Sequence, residues 1–471
     1  MPKFKPYRKD QVMLFPRTID EYVPQNHLSR LIHQIVEELD TSSIEDTYSP
    51  LGQNTYPPKI LIKLLFYGYA TGIRSGRKIA VQCETDTAYI YLAQMYRPDF
   101  RTINDFRKNH LTQISSYFVA ILRMCRELGL ISVGQINIDG TKIKANAANR
   151  RTKTKEEYQK WLTKIDEKIK QILAEAEATD SREDQVLKDK RGDELPDQIQ
   201  DQQKRKDKIQ QIMGKFPDEK EKINLTDPEA RFMKDGRYRI DTNYNCQAVL
   251  SQEQLILASE VIREPSDRKA LSVMVEATDR NLGQPLLEVA ADAGYSSYDH
   301  YEYLDKNHKI GYIPDQNLRK GNARDKPYHQ DHFTYDSKKD VFLCPEGKLL
   351  KFYKIRREEC PYRKFQVKIY QAKDCPACPK KSLCTKARYR TISIEDRKAL
   401  LLQMRKRLET EIGRKKYLQR LWTAEPFFGH LKYNLGYRHF FLRSLKKVKG
   451  EFNLMCIGYN LKKMHKMMAF G

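Results

Sequence analysis

The sequence predicts an α/β protein with a mixed sheet and flanking helices, preceded by an all-helical N-terminal domain. Three observations lead to this prediction. Apolar residues recur at helical spacing over residues 1–135. Strand-like runs alternate with helical patterns over residues 136–316. Two polar stretches break that alternation, and we interpret them as a charged helical insertion at 151–222 and a cysteine-rich insertion at 317–395.

The 471 residues are too many for one ordinary domain, and we predict four parts. A helical domain covers residues 1–135. The first part of the α/β core covers 136–316 and contains the insertion 151–222. The cysteine-rich insertion follows at 317–395, and residues 396–471 supply the final helices of the core.

The N-terminal domain is predicted to contain a unit of helix-turn-helix type. An apolar helix begins after Pro57-Pro58, residues 72–76 form a turn, and short basic helices follow. The basic residues predicted to contact DNA here are Arg74, Arg77, Lys78, Arg101 and Arg107. A plain helical bundle is the alternative, because any bundle contains such turns.

The 151–222 insertion is predicted to be an antiparallel helical hairpin. Apolar residues recur at three- and four-residue steps in the first arm and more weakly in the second: Tyr158, Leu162, Ile165, Ile169 and Ile172, then Ile199, Ile209 and Ile212. A disordered linker is the alternative. The regular first stripe favours the hairpin.

The rest of the core is predicted from alternation and helix signals. The expected elements are two strands over 237–262 with a turn near Ser251, a helix 266–281 capped by Ser266 or Asp267, strand 287–291, a helix from Ser297, strand 309–313, and helices 394–407, 417–432 and 451–468.

The formal net charge of +24 favours nucleic acid or an anionic membrane as partner. We favour nucleic acid, because many basic residues fall near the N-terminal helices and near the carboxylates described next. No apolar run approaches the roughly 18 residues that span a bilayer, and no signal peptide is visible. We therefore expect a soluble cytoplasmic protein, whose nine cysteines are reduced.

Three acidic residues indicate a metal-dependent nuclease site. Asp139 and Asp292 each follow an apolar run of strand type, and Glu425 lies in a helical segment. Carboxylates from two strands and a helix can hold two Mg²⁺ ions, which clamp the attacking and leaving oxygens of a phosphodiester. The alternatives are a turn at Asp139, a helix cap at Asp292 and a surface acid at Glu425.

The segment 417–432 resembles the C-terminal signature of DDE transposases of bacterial insertion sequences. That signature is Tyr, two residues, Arg, three residues, Glu, six residues and Lys. Tyr417, Arg420, Glu425 and Lys432 match it, except that four residues separate Arg420 from Glu425. The extra residue rotates Arg420 by about one helical step relative to Glu425.

The resemblance implies an RNase H-like catalytic core that cleaves DNA and joins the 3′-hydroxyl to target DNA. Asp139, Asp292 and Glu425 would hold two Mg²⁺ ions, with Mn²⁺ as a substitute, while Arg420 and Lys432 contact phosphate. The implied partners are double-stranded DNA, as terminal inverted repeats and target, and a second copy of the chain. A protein of this kind would act at the bacterial nucleoid.

Further DNA contacts are predicted from basic and aromatic residues near the acids: Lys142, Lys144, Tyr417, Arg438 and Arg443. Two other functions remain open. One is an RNase H-like nuclease without strand transfer, and the other is an inactive, domesticated DNA-binding protein.

Four cysteines of the second insertion resemble a metal site: Cys344, Cys375, Cys378 and Cys384. A CxxC pair with two further thiols can form a structural zinc site in a segment that has few core residues. Cys360 is an alternative to Cys344, and reduced thiols without a metal are the alternative to the site. A redox CxxC is disfavoured, because no βαβ pattern surrounds it.

Overall fold

The computed structural model describes residues 18–49, 55–132, 134–183, 197–216, 218–235, 239–316, 327–336, 338–360, 363–395 and 397–470. It is a mixed α/β protein, as predicted. Its α-helices are α1 Ile19–Tyr22, α2 Leu28–Glu38, α3 Ser42–Glu45, α4 Pro58–Thr71, α5 Gly76–Thr85, α6 Thr87–Leu92, α7 Phe100–Asn109, α8 Leu111–Glu127, α9 Lys155–Glu183, α10 Asp197–Met213, α11 Ala270–Leu282, α12 Tyr298–Lys306, α13 Lys381–Cys384, α14 Lys398–Glu409, α15 Glu411–Leu418, α16 Arg420–Gly429 and α17 Leu445–Phe470.

The strands are β1 Gln135–Lys144, β2 Thr152–Lys153, β3 Ile223–Asn224, β4 Arg231–Lys234, β5 Ile240–Leu250, β6 Ile256–Ile262, β7 Glu288–Ala291, β8 Ile310–Tyr312, β9 Thr334–Asp336, β10 Val341–Leu343, β11 Leu349–Cys360, β12 Arg363–Gln371 and β13 Thr391–Glu395. No helix among the described residues is long and apolar enough to cross a membrane.

The chain forms two compact units. The first comprises Met1–Leu130, Lys142–Cys246 and Gly429–Gly471, and the second comprises Ile131–Thr141 and Gln247–Phe428. The division falls within strands β1 and β5. The four-part division of the sequence stays a prediction.

Helix α4 forms the centre of the first unit. It begins with Pro58 in its first turn and ends at Gly72, whose φ of 88° is left-handed, so the predicted helix and turn are confirmed. Helix α17 packs against α4 and α8. Gly458 allows this close approach, because a Cβ there would lie 2.6 Å from the carbonyl carbon of Tyr69.

Helices α9 and α10 confirm the predicted hairpin. Their shared core contains Tyr158, Ile165, Ile209, Ile212, Ile223 and Leu225. Strands β2 and β3 pair at the hairpin's base, with Thr152 opposite Asn224. The predicted centre of the hairpin, residues 184–196, lies outside the described residues, and so does the side chain of Ile199.

A six-stranded sheet holds the first two predicted acids. Its order is β4-β5-β1-β7-β8, and β6 also pairs with β5. Strands β1 and β7 are parallel, with Ile138 opposite Ala291. Asp139 and Asp292 are therefore the next residues after this pair; Asp139 lies in the middle of β1, and Asp292 directly follows the end of β7.

The second insertion differs from the expectation, because it contains an antiparallel sheet for which we predicted no strands. Its order is β13-β12-β11-β10-β9. Ile392 packs into this sheet's core. The helix predicted over 394–407 is therefore wrong at its start, since β13 runs to Glu395 and α14 begins at Lys398.

Two other helix starts also differ. Helix α11 begins at Ala270 after Lys269, so neither Ser266 nor Asp267 is its N-cap residue. Asp267 instead accepts a hydrogen bond from the Gln247 side chain. The helical segment predicted over 417–432 is broken, because α15 ends at Leu418 and α16 begins at Arg420.

Candidate active site

The three predicted acids all belong to the second unit. Asp139 lies in β1, and Asp292 precedes a short 3₁₀ turn whose Gly294 N–H donates to Asp292 Oδ1 at 2.7 Å. Glu425 lies in α16 and is 47% exposed, whereas the Asp139 side chain is 17% exposed. Asp292 and Glu425 thus come from a strand end and a helix, as the sequence predicted. Asp139 differs from the prediction, because β1 continues to Lys144 and the acid lies in the middle of the strand.

Arg420 links the helix acid to the strand acid. Its Nη2 donates to Glu425 Oε1 at 2.8 Å, and its Nη1 lies 3.6 Å from Asp139 Oδ1. The guanidinium lies 5.9 Å from the ring centroid of Tyr417, and the side chain is only 8% exposed. The extra residue before Glu425 therefore does not separate Arg420 from the acids.

The negative charge of Asp139 is destabilised by burial of the side chain. Burial raises the pKa of Asp139 to about 7, Arg420 opposes that rise, and Asp292 and Glu425 add to it. Within the described residues, however, no group of three or more His, Cys, Asp or Glu side chains is arranged to hold a metal ion. The geometry is thus one of carboxylates gathered around a guanidinium.

Gly140 lies within strand β1, so the reading of Asp139-Gly140 as a turn is wrong. A Cβ at residue 140 would lie 2.3 Å from Gln247 Nε2. The Gln247 side chain donates to Asp267 Oδ1 at 2.8 Å and accepts from the Tyr295 hydroxyl. This network next to the acids was missed, because no spacing rule connects strand β5 with the residues after β7.

We expect Gly140→Ala to destabilise the protein by about 1–3 kcal/mol, as overpacking of a filled interior does. The Gln247 amide cannot move aside cheaply, because it is buried and bonded on both sides. Urea unfolding measures the change. Gly134→Ala is the control, since its Cβ would lie 3.4 Å from Gln252 Nε2. Equal stability of the two variants would contradict the close approach.

Two family models match parts of the chain. A family model described as Transposase DDE domain matches residues 343–465, and one described as Transposase domain (DUF772) matches residues 17–109. Both matches support a DDE transposase of an insertion sequence. No curated protein and no solved structure gives a significant match.

The two matches cover different parts of the chain. The DDE match contains Glu425, Arg420 and Lys432, but it does not reach Asp139 or Asp292. Those two acids are instead connected with each other by the β1–β7 register. The other match covers the N-terminal helices through α7.

Four predicted DNA contacts line one cavity of the first unit. The cavity is about 460 Å³, and its basic lining residues include Lys142, Lys144, Lys432 and Arg438. Lys144 forms an ion pair with Asp241 at 3.1 Å, so part of its charge is already balanced. The structure does not bring Arg443 to this cavity; its Nε donates to the Asn146 carbonyl at 3.0 Å.

The predicted N-terminal contacts divide into exposed and buried residues. Arg77, Lys78 and Arg101 are exposed. Arg74 is buried against Glu451, and Arg107 is buried and donates to the Tyr69 hydroxyl and the Arg74 carbonyl. Since both guanidiniums are enclosed and bonded within the protein, they are not positioned to contact DNA, contrary to the prediction.

The four predicted zinc ligands line one cavity beside the second sheet. Backbone N–H groups of Lys348 and Arg390 donate to Cys344 Sγ and Cys375 Sγ at 3.2 and 3.3 Å. Burial raises the pKa of Cys384, Arg390 opposes the rise, and the other three sulfurs add to it. The described cysteines are free thiols, and the side chain of Cys360 lies outside the described residues.

Proposed function

We propose that the chain binds the ends of its insertion sequence, cleaves DNA there and joins the freed 3′-hydroxyl to target DNA. The observation that carries this proposal is the gathering of Asp139 and Glu425 around Arg420, with Asp292 beside Asp139 in register. The family matches support it, because they identify a transposase.

The order of elements supports an RNase H-like core for this reaction. Strand β1 is followed by the helical insertion, three strands, a helix, a strand, a helix and a strand, and then by the second insertion and late helices. Apart from the short extra strand β4, that is the order expected of an interrupted RNase H-like sheet. Asp292 lies directly after the end of β7, where α/β folds usually place their sites, and Asp139 lies within β1.

Asp139, Asp292 and Glu425 would hold Mg²⁺ or Mn²⁺. The donor set fits, because magnesium prefers carboxylate oxygens, and because the raised pKa of Asp139 indicates a poorly solvated charge that a cation would balance. When bound, two such ions stabilise the attacking and leaving oxygens of in-line displacement. Arg420 orients Glu425 and reduces the repulsion among the acids.

Residues other than the three acids bind and orient DNA. Lys142, Lys144, Lys432 and Arg438 place positive charge around one cavity that can receive a phosphodiester backbone. Half-buried Tyr417 lies beside Arg420. We assign recognition of the transposon ends to the N-terminal helices, where Arg77, Lys78 and Arg101 are exposed. Both ends must be cut together, so we propose a homodimer acting at the nucleoid.

A strand-transfer assay tests this function. The chain is incubated with Mg²⁺, a labelled duplex that carries the element's end, and a supercoiled plasmid as target. A transposase joins the label to the plasmid, a nuclease cleaves without joining, and an inactive DNA-binding protein only shifts the duplex. Cleavage without joining, at any protein concentration, would overturn the transfer step.

We also propose that Cys344, Cys375, Cys378 and Cys384 hold a structural zinc. Elemental analysis should find about one zinc per chain, since four thiolates complete a tetrahedral site. Cys375→Ser or Cys378→Ser should lose that zinc and make the insertion sensitive to protease, whereas Cys125→Ala, outside this cavity, should keep it. A folded, active wild-type protein without zinc would leave these residues as reduced thiols.

A further inference from the structure

A second basic cavity lies at the base of the α9–α10 hairpin, in the first unit. It measures about 450 Å³. Its basic lining residues are Arg150, Arg151, Lys153, Lys204, Arg205 and Lys208, and Trp161 and Leu225 complete its wall. Of the described residues that line it, none is acidic. It shares no lining residue with the cavity that contains Lys142 and Lys432.

The backbone that carries these cations is held by buried contacts. The Tyr158 hydroxyl donates to the carbonyls of Arg151 and Ile223 at 2.7 and 2.9 Å. Asn224 Nδ2 donates to the Ala148 carbonyl and to Thr152 Oγ1 at 2.9 and 2.8 Å. The hairpin's apolar core packs around the same tyrosine. The backbone under this charged surface therefore does not have to be ordered when a ligand binds.

Trp161 is fixed by the same tyrosine. Its ring is nearly parallel to the Tyr158 ring, at 12° and a centroid separation of 6.1 Å. The Lys153 ammonium lies 5.7 Å from the centroid of the Trp161 ring. The aromatic wall therefore helps to position one of the six cations at the cavity.

The charges of this cavity are less closely balanced by carboxylates than other hairpin charges are. Lys153 lies near Glu157, whose pKa is lowered first by the Thr154 N–H and also by this lysine. Lys206 pairs with Asp166 at 2.6 Å, and Lys160 pairs with Glu156 at 2.7 Å. Among the described residues, no ion pair involves any of the six lining cations. Six like charges on one surface repel one another, so an anionic ligand with several charges would relieve that repulsion.

We propose that this cavity binds the phosphodiester backbone of duplex DNA, as a second contact surface of the transposase. A DNA strand places a phosphate about every 3.4 Å along the helix axis, so neighbouring cations can each meet a phosphate. Contacts of this kind position the protein and carry no sequence information. The proposal rests on the proposed function, because it assumes that DNA is the substrate.

Salt dependence of DNA binding tests the cavity directly. In the full chain, Lys204→Gln, Arg205→Gln and Lys208→Gln together should weaken binding to every duplex sequence alike. Each phosphate contact contributes about 0.9 to the slope of log K against log salt, so losing three should reduce that slope by about 2 to 3 units. Fluorescence anisotropy with end-bearing and random duplexes measures both effects.

The matched control is Lys164→Gln, Lys168→Gln and Lys170→Gln on α9. It removes the same charge from the same hairpin at exposed residues that do not line the cavity. Circular dichroism checks that both triple variants keep their helices. The cavity variant should lower the slope, and the control should keep the slope near that of the wild type.

Each other outcome overturns the proposal in a recognisable way. If both triple variants change the slope equally, only net charge matters and the cavity is not a contact surface. If neither changes it while the wild type binds and cleaves end DNA, this proposal fails and the proposed function stands. If the wild type binds no duplex DNA, the proposed function fails as well.

Discussion

Asp139→Asn, Asp292→Asn and Glu425→Gln are each expected to lower Mg²⁺-dependent strand cleavage more than about 100-fold, because even residues that only orient metal ligands cost about 10- to 100-fold when changed. Each substitution keeps the shape of the side chain and removes the negative charge that a metal ion needs. DNA binding should persist, since phosphates are attracted by the basic residues rather than by the acids.

The control for this series is Glu411→Gln. Glu411 is an exposed acid in the first turn of α15. The substitution therefore removes the same negative charge from a helix that neighbours α16 in the sequence. A gel assay of nicked and cleaved end DNA measures the rate, and a mobility shift measures binding. Near wild-type cleavage by any one of the three variants would show that its acid is not a ligand. Loss of cleavage by Glu411→Gln would show that charge alone matters.

The sequence was sufficient where local pattern decides the structure. Helix α4 and the first arm of the hairpin carry regular apolar stripes, and their predicted helices are confirmed. The apolar runs before Asp139 and Asp292 predict β1 and β7, and the parallel register then aligns the two acids. The apolar runs, taken together with the 417–432 pattern, thus led to these two candidate acids before any contact was known.

The remaining features depend on partners distant in the chain. The polar strand β11 pairs with β12 over most of its length, and polar residues on both faces hide its alternation. The burial of Arg74 depends on Glu451, which is 377 residues away in the sequence. The local sequence therefore does not distinguish buried Arg74 from exposed Arg77. Gln247 likewise meets Gly140 only after folding. A single sequence contains no spacing that reports such contacts.

The burial of Arg74 leads to the second large expected effect, which concerns stability. Its Nη1 donates to Glu451 Oε1 at 3.0 Å, and its guanidinium lies 4.0 Å from the ring centroid of Phe441 and 4.9 Å from that of Tyr437. Glu451 is fully buried and also accepts from the N–H groups of Phe441 and Leu442. This carboxylate therefore joins α17 to the segment that precedes it.

We expect Arg74→Met to destabilise the protein by about 3–5 kcal/mol, because it removes the guanidinium that is bonded to the buried Glu451 carboxylate. The methionine fills similar volume, so the loss reports the charge rather than a cavity. Urea unfolding of the full chain measures the loss of stability.

The control Lys78→Met removes an exposed positive charge from the adjacent helix, and its stability should stay within about 0.5 kcal/mol of the wild type. Adding Glu451→Gln to Arg74→Met removes the unpaired charge and should recover part of the loss. Equal unfolding midpoints for Arg74→Met and Lys78→Met would mean that the ion pair contributes nothing to the stability of this helical core.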